Sequence, residues 1–454
     1  MPRPVEGRTT PLVEEQRLKI SVIGTGYLGA THAACMAELG FDVLGLDVDQ
    51  AKINQLSSGQ VPFYEPGLQE VLQRNLASGR LRFTTDYAEV GAFADVHFLC
   101  VGTPQQADSN AADLTAVDSA LDQLAAELKR PCVVIGKSTV PVGTAARAQA
   151  RLATTAPAGK QVGLGWSPEF LREGLGVEDT LRPNRIVIGT NSERVESVMR
   201  EICAPQIERG TPFLVTDLQT AELVKVSANA FLATKISFIN AMAEVCEASG
   251  GDVIQLARAL SYDDRIGGKF LGPGLGFGGG CLPKDIRAFM ARADELGVEP
   301  ALSFLREVDA INQRRRARTV DIARGLIGGS FAGRTVGVLG AAFKPNSDDI
   351  RDSPALDVAS TIHSLGARVT VYDPEALDNA RREHPDLSYA SSMLEAVRDA
   401  EVVLLLTEWA EFREADPKEL TEVVAQTKIV DGRNALDPAL WRERGWTYRA
   451  LGRP

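Results

Sequence analysis

Lys269-Phe270-Leu271-Gly272-Pro273-Gly274-Leu275-Gly276-Phe277-Gly278-Gly279-Gly280-Cys281-Leu282-Pro283-Lys284-Asp285 packs six glycines immediately before a cysteine. Glycine permits positive φ and close backbone approach, and successive N–H groups can form a concavity suited to phosphate. Cys281 would stand at the rim of such a cradle. Lys284, Asp285 and the local backbone dipoles make a setting expected to favour thiolate, a nucleophile beside an anion site. Taken alone, the stretch also reads as a flexible glycine loop ending in a buried structural cysteine.

Two further constellations could do chemistry. Lys225 and Asn229 are four apart and share a helical face, among apolar neighbours where a lysine is costly without a partner. The alternative is a lysine that snorkels to solvent. Trp166-Ser167-Pro168-Glu169-Phe170-Leu171-Arg172-Glu173-Gly174 sets two acids around an aromatic and a leucine, which by itself is most simply a solvated helix start.

The elements that must position these groups follow an α/β rhythm. Lys19 to Ile23 is a short apolar strand that leads into Gly24-Thr25-Gly26-Tyr27-Leu28-Gly29 and then a helix over 30–39. The first glycine allows the tight turn, the second the approach of a pyrophosphate, and the third close packing of helix on strand. The next strand, 41–46, ends at Asp47, an acid suited to both ribose hydroxyls and repellent to a 2′-phosphate, which favours NAD over NADP. Strands at 96–100 and 132–135 end close to Thr103 and Thr139, where ligands of open parallel sheets bind, and Pro141 suits the first turn of another helix. A long helix over 217–249, with Thr216 as N-cap, reads as a connector between domains. Helices over 286–296 and 301–311 follow, and the basic run 312–316 reads as a solvated helix end near a linker. From 334 the strand and helix alternation restarts, with strands at 335–339, 368–372, 402–406 and 428–430 and with Ser353-Pro354 opening a helix. This is a second doubly wound sheet without the glycine fingerprint.

The bulk properties narrow the class. A chain of 454 residues exceeds one hydrophobic core, so two or three domains are expected. With a formal charge of −11 the chain lacks the positive face that nucleic acid or an anionic membrane requires. Residues 1–17 read as a loose polar tail with no apolar signal core, and the longest apolar run is far too short to span a bilayer. The six cysteines are scattered without a Cys-x-x-Cys pair, neither a metal framework nor a disulfide scaffold, which points to a reducing cytoplasm.

Taken together, Gly24-x-Gly26-x-x-Gly29 with Asp47, Lys137-Ser-Thr-Val-Pro141, Ser167-Pro-Glu-Phe-Leu171, Lys225-x-x-x-Asn229, Gly278-Gly-Gly-Cys-Leu-Pro-Lys-Asp285 and Phe343-Lys344 with Arg351 resemble the UDP-glucose/GDP-mannose dehydrogenase family. The resemblance implies an α/β protein with two Rossmann-like doubly wound domains bridged by a long central helix and a helical middle region. An NAD domain is expected over 18–215, a helical dimerisation domain over 216–320 and a nucleotide-sugar domain over 321–454. It implies a homodimer and a four-electron oxidation of a sugar CH₂OH with NAD. UDP-glucose is the expected substrate, with GDP-mannose or a UDP-N-acetylhexosamine as alternatives and a two-electron hydroxyacid dehydrogenase as a rival reaction.

In that resemblance Cys281 is the covalent nucleophile, Lys225 and Asn229 stabilise the oxyanion, and Asp285, Thr139 and Glu169 hold water and move protons. Gly24, Gly26, Tyr27, Leu28, Gly29, Asp47, Lys52, Thr103, Thr139, Glu173, Lys284 and Arg351 match cofactor positions. The sugar nucleotide would meet Glu169, Phe170, Leu171, Arg172 and Glu173, together with Lys225, Asn229 and Cys281. The loop Phe270, Leu271, Gly272, Gly274, Gly276, Gly278 would grip it, helped by Phe343, Lys344 and Arg433, and by Arg265 reaching from either subunit. Gly280 and Leu282 depart from the Gly-Gly-Ser-Cys-Phe-Pro-Lys-Asp common among the UDP-glucose members.

Overall fold

The computed structural model describes residues 18–454, so the tail expected over 1–17 lies outside it. Strands β1 (Lys19–Ile23), β2 (Asp42–Leu46), β3 (Leu81–Thr84), β4 (Val96–Leu99), β5 (Cys132–Gly136), β6 (Val162–Trp166), β7 (Ile186–Gly189) and β8 (Phe213–Thr216) form one sheet. Its order is β3-β2-β1-β4-β5-β6-β7-β8. All neighbours are parallel except β6 and β7, which meet antiparallel at Trp166 and Gly189. The strands are apolar runs because helices cover both faces; β4 and β5 are buried along their whole length. Strand order reverses between β1 and β4, which opens a crevice beyond their carboxyl ends.

A second sheet repeats the plan. β9 (Thr335–Leu339), β10 (Arg368–Tyr372), β11 (Ser388–Tyr389), β12 (Val402–Leu405), β13 (Lys428–Asp431) and β14 (Thr447–Ala450) run in the order β11-β10-β9-β12-β13-β14, all parallel. Its switch point lies between β9 and β12, beside Gly340 to Pro345. The fold is therefore two doubly wound α/β units, with a helical region between them.

The connector is a helix of 32 residues, Leu218–Ser249, about 48 Å long at 1.5 Å per residue. Its N-cap is Asp217, whose carboxylate accepts the N–H of Thr220, so the cap expected at Thr216 lies one residue further on. One face of this helix, from Leu218 through Lys225 and Asn229 to Cys246, is buried against helices Leu282–Glu295 and Phe304–Leu326. On another face Phe231, Phe238 and Val245 are exposed.

Three local expectations are corrected. Pro141 does not open a helix; that helix is Thr144–Thr155, and its N-terminal N–H groups are held by Glu222 of the long helix at 2.6–2.7 Å. Glu169 and Glu173 lie in a loop, because the next helix starts only at Gly176. The run 312–316 is interior to helix Phe304–Leu326, with Asn312, Arg315 and Arg316 buried. Arg315 donates to Glu247 at 2.7 Å and Arg316 to Asp352 at 2.8 Å, so two of the three arginines are structural cations.

Asn312 does most for the site. Its Oδ1 accepts the N–H of Phe277 at 2.8 Å and its Nδ2 donates to the Phe277 carbonyl at 2.9 Å. Asn312→Ala leaves the Phe277 N–H buried and unpaired and its carbonyl with only the 3.4 Å bond from Arg316, at about 1–3 kcal/mol for each bond lost. Urea unfolding should show a loss of about 2–5 kcal/mol with m unchanged, and a variant within 0.5 kcal/mol of wild type, roughly the spread of surface substitutions, would refute the clamp.

Candidate active site

At the carboxyl end of β1, Gly26 is the N-cap of helix Tyr27–Glu38, with no side-chain cap and no acid in its first turn. Its N-terminal N–H groups therefore point unblocked into the crevice, where a pyrophosphate is stabilised by backbone and dipole together. A Cβ on Gly26 would meet nothing within 4 Å, whereas one on Gly29 would lie 1.7 Å from the Gly24 carbonyl oxygen. The middle glycine leaves room for a ligand, and the last lets helix and strand touch. At the end of β2, Asp47 accepts the Thr25 N–H at 2.8 Å and Lys52 at 3.0 Å. Burial raises its pKa, but these bonds outweigh that and hold it below the ordinary carboxylate value. An ionised acid at this position fits ribose hydroxyls. The residues present thus fit a dinucleotide.

The chemistry-bearing groups meet between the sheets. Lys225, 5% exposed, pairs with Glu169 at 3.0 Å. It does not snorkel. Burial pulls its pKa down, while Glu169, Cys281 and Asp285 more than offset this and keep the ammonium charged. One turn on, Asn229 donates to Asp285 at 2.6 Å, and Asp285 also takes Lys284 at 2.5 Å. Thr103 donates to the Thr139 carbonyl at 2.8 Å, and both threonines line one recess with Lys284 and Asp285. Lys225, Asn229, Asp285, Glu169, Thr139, Thr103 and Lys284 therefore share one neighbourhood.

Cys281 is the N-cap residue of helix Leu282–Glu295 and is exposed at the cleft, unlike the other five cysteines, which are buried. Water reaches it, yet it lies deep in the protein mass. Burial pushes its thiol up to about 11, with Asp285, Glu169 and Glu173 adding to the rise and Lys225 opposing it. The expected thiolate-favouring setting is thus corrected: Lys284 is spent on Asp285, and carboxylates outnumber free cations.

The glycine stretch threads between elements that leave no room for side chains. A Cβ on Gly276 would lie 2.2 Å from Asn312 Oδ1, one on Gly278 2.3 Å from the Asp352 carbonyl oxygen, and one on Gly280 2.2 Å from the Arg351 guanidinium. Gly274 donates its N–H to Asn240 at 2.9 Å. Phe270 takes a left-handed φ of 64° and is partly exposed, while Leu271 is buried and Gly272 has open space at its Cα. From the second unit, Phe343 lies against Gly279 and Lys344 donates to the Glu173 carbonyl at 2.7 Å. Glu173 also takes Ser347 at 3.1 Å and Arg351 at 3.3 Å. Burial and Asp349 push Glu173 up to about 7 against the pull of Arg351 and Lys344.

Four expected ligand residues are engaged elsewhere. Arg265 is exposed and pairs with Asp263 at 2.6 Å, away from the cluster. Arg433 donates to the carbonyls of Leu406, Gly276 and Phe343 at 2.7–3.1 Å, so it clamps the loop from behind. Arg172 is held by Asp179 at 2.7 Å. Arg351 gives most of its donors to Asp349, at 2.7–3.0 Å. Leu171 receives order from Glu169, which accepts its N–H at 2.7 Å, and Phe170 lies under Arg185 at 3.7 Å.

Sequence reasoning passed over Glu65. It accepts the hydroxyl of Tyr27 and the N–H groups of Gly174 and Gly176 at 2.7 Å, tying the glycine turn after β1 to the loop that carries Glu169 and Glu173. Burial and Glu65 push the Tyr27 hydroxyl up, so it remains a donor. The available signal was an acid before a Pro-Gly turn in Phe63-Tyr64-Glu65-Pro66-Gly67.

Sequence models of the UDP-glucose/GDP-mannose dehydrogenase family match the chain in three blocks: the NAD binding domain over residues 18–207, the central domain over 219–314 and the UDP binding domain over 337–438. A UDP-glucose 6-dehydrogenase of Rhizobium meliloti is 41% identical over 439 residues, 96% of this chain and 100% of the relative. One from Bacillus subtilis is 38% identical over 96% of this chain and 93% of its own length. The solved UDP-glucose dehydrogenase of Pyrobaculum islandicum superposes with a TM-score of 0.88 at 36% identity, covering 97% of this chain and 99% of that one. A solved UDP-D-ManNAc dehydrogenase of Pyrococcus horikoshii gives 0.84 at 26% identity over 96% and 99%.

The electrostatics of Cys281 yield a direct test. Iodoacetamide should label Cys281 ahead of the buried cysteines, at a rate that climbs with pH toward a midpoint of about 11. Asp285→Asn should bring the midpoint down. A wild-type midpoint at or below about 8.5, the free-thiol value, would contradict the charge balance described.

Proposed function

The chain belongs to the UDP-glucose/GDP-mannose dehydrogenase family, and on that premise we propose that it oxidises UDP-glucose to UDP-glucuronate through a covalent intermediate on Cys281. It is an NAD-dependent oxidoreductase; the turn Gly24, Gly26 and Gly29 with Asp47 would hold NAD, which when bound would supply the hydride acceptor for each oxidation. The observation that carries the mechanism is the meeting of an accessible Cys281 with the Lys225 and Glu169 pair and the Asn229, Asp285 and Lys284 chain. UDP-glucose is preferred because relatives of that name align over nearly the whole chain.

As the sugar CH₂OH becomes an aldehyde, negative charge grows on its oxygen. Lys225 and Asn229 present a buried ammonium and an amide donor to it, fixed beforehand by Glu169 and Asp285. Those carboxylates, with Thr139, hold water and take up the proton, a contribution of about 10²–10⁴-fold. An aldehyde has no second hydride to give until a nucleophile adds. The Cys281 S–H adds across the C=O: sulfur bonds carbon, and the proton goes to oxygen. Loss of a hydride and of that hydroxyl proton gives a thioester, and water then breaks the C–S bond to release the carboxylate and return the thiol.

A homodimer is part of the proposal. Phe231, Phe238 and Val245, 67%, 48% and 56% exposed, recur every seventh residue along the long helix, the spacing of a helix seam. Arg265 is exposed on a nearby loop and paired with Asp263, and in this proposal it serves a second copy's cleft.

Two predictions follow from these assignments. Wild type should yield two NADH per UDP-glucose and little or none with GDP-mannose or UDP-N-acetylmannosamine; Cys281→Ser should stop after one, and a wild type releasing one NADH and a stable aldehyde would refute the thioester route. Cys281→Ser and Arg265→Ala should each form no UDP-glucuronate alone, so the pair is read by that product. Unfolded and refolded together, they should regain about a quarter of wild-type activity, since half the dimers are mixed and one of two sites is intact; no recovery would refute the shared site.

A further inference from the structure

The loop that carries Glu169 and Phe170 forms one wall of a recess in the first unit, ≈ 790 Å³ with its mouth included, whose lining contains neither Cys281 nor the glycine stretch; Lys225 borders that wall, 3.0 Å from Glu169 and 5.7 Å from the Phe170 ring. Apolar side chains such as Met36, Phe98 and Met199 form part of its wall. Its polar lining is unusual. His32 and Gln206, 6% and 4% exposed, each carry a buried polar atom, Nε2 and Oε1, with no hydrogen-bond partner among the described residues. Burial and Lys137 push the His32 pKa down, so the ring is neutral. Lys137 and Arg185 also line the recess, and among the described residues neither has a carboxylate within ion-pair distance. Among the described residues the one partner of the Arg185 guanidinium is the Phe170 ring, 3.7 Å away. The two carboxylates on the wall are already taken, Glu169 by Lys225 and Asp179 by Arg172.

Two cations without counter-ions, beside two unpaired polar atoms in an apolar recess, form the complement of an anion with an apolar body. We infer that this recess is a second ligand site, for a small carboxylate or phosphate ester, that shares the wall Glu169, Phe170 and Leu171 with the proposed sugar-nucleotide cleft. The head group lies between Lys137 and Arg185, and the body lies against Met36 and Met199. Because Arg185 gives up part of its hold on Phe170 to take the anion, and Phe170 adjoins Glu169, the site is coupled to the proposed substrate site. Any change it makes in substrate affinity is matched by an equal change in its own affinity when substrate binds.

Calorimetry on the full protein with butyl phosphate, butyrate and inorganic phosphate tests this without turnover. At least one probe should bind wild type, with affinity reduced at least tenfold by Arg185→Gln, which removes the charge, and by Met199→Trp, which fills the space. Tighter binding of the butyl compounds supports an ester or carboxylate with an apolar body; equal binding of inorganic phosphate supports the anion alone as the recognised part. Binding unchanged in both variants would assign the probes to the nucleotide clefts and overturn the inference, as would the absence of binding to wild type at 10 mM, taken as roughly the upper limit for a specific anion site. If Met199→Trp does not fold, Arg185→Gln decides. The bound probe should also shift the KM for UDP-glucose at least twofold in wild type, and an unmoved KM and kcat would overturn the coupling. Absence of any turnover would strike the proposed reaction instead, since binding in the recess is read independently.

Discussion

The position of Cys281 depends on a strand of backbone passing through a space too narrow for side chains. Two helices read that backbone directly: Asn240 takes the N–H of Gly274, and Asn312 takes both groups of Phe277. Arg433 seizes the Gly276 carbonyl from the far side. A Cβ at Gly276 or Gly278 would overlap polar atoms at 2.2–2.3 Å, so a substitution there moves a helix or the second unit, not merely a loop. The glycines serve close approach, and the rigidity that results places one sulfur at the N-terminus of helix Leu282–Glu295.

The same economy governs charge. Every ionised group at the cleft floor is held by a partner of opposite sign or by an amide, because a bare charge at that depth would cost several kcal/mol. Lys225 and Glu169 make one pair, Lys284 and Asp285 another. Burial pushes the Cys281 thiol up to about 11, and the pairing leaves only Lys225, itself engaged by Glu169, to oppose that rise. Glu173 joins the two units: Lys344, Ser347 and Arg351 reach it from one side, while Glu65 holds the neighbouring Gly174 from the other. The glycine turn after β1, the loop of Glu169 and Glu173 and the second sheet are thereby linked through a few polar contacts.

Much of this was legible in the residues. Gly24, Gly26 and Gly29 announced their turn because each role depends on a missing Cβ, and Asp47 followed at the end of the next strand. The doubly wound rhythm was legible because parallel strands covered on both faces are plain apolar runs. Strands β6 and β7 were harder, since Gly163, Gly165 and Gly189 interrupt the runs to make room for Val195, Ile188 and Ala221. Buried arginines were illegible: Arg315 and Arg316 resemble a solvated helix end until the distant Glu247 and Asp352 are seen beside them. Asn312 and Glu65 failed for the same reason. Their partners are backbone groups 35 and 109 residues away, which no local pattern encodes.

Gly280 shows how one departure from a motif acquires physical content. Read alone, glycine in place of serine removes a hydroxyl and leaves the loop as it was. In the structure, the space that a serine Cβ would need holds the Arg351 guanidinium, 2.2 Å from the ideal position. Arg351 is fastened there by Asp349 and Glu173, and the Gly280 N–H reaches Asp349 at 3.3 Å. Asp349 spends much of the arginine's charge, so its closeness to Cys281 does not bring the thiol down to its ordinary range. A side chain at 280 would displace the guanidinium and remove a counter-charge from Glu173, whose pKa then rises further. The substitution is therefore not neutral: the glycine and the arginine form one arrangement, and through Glu173 that arrangement reaches both halves of the cleft.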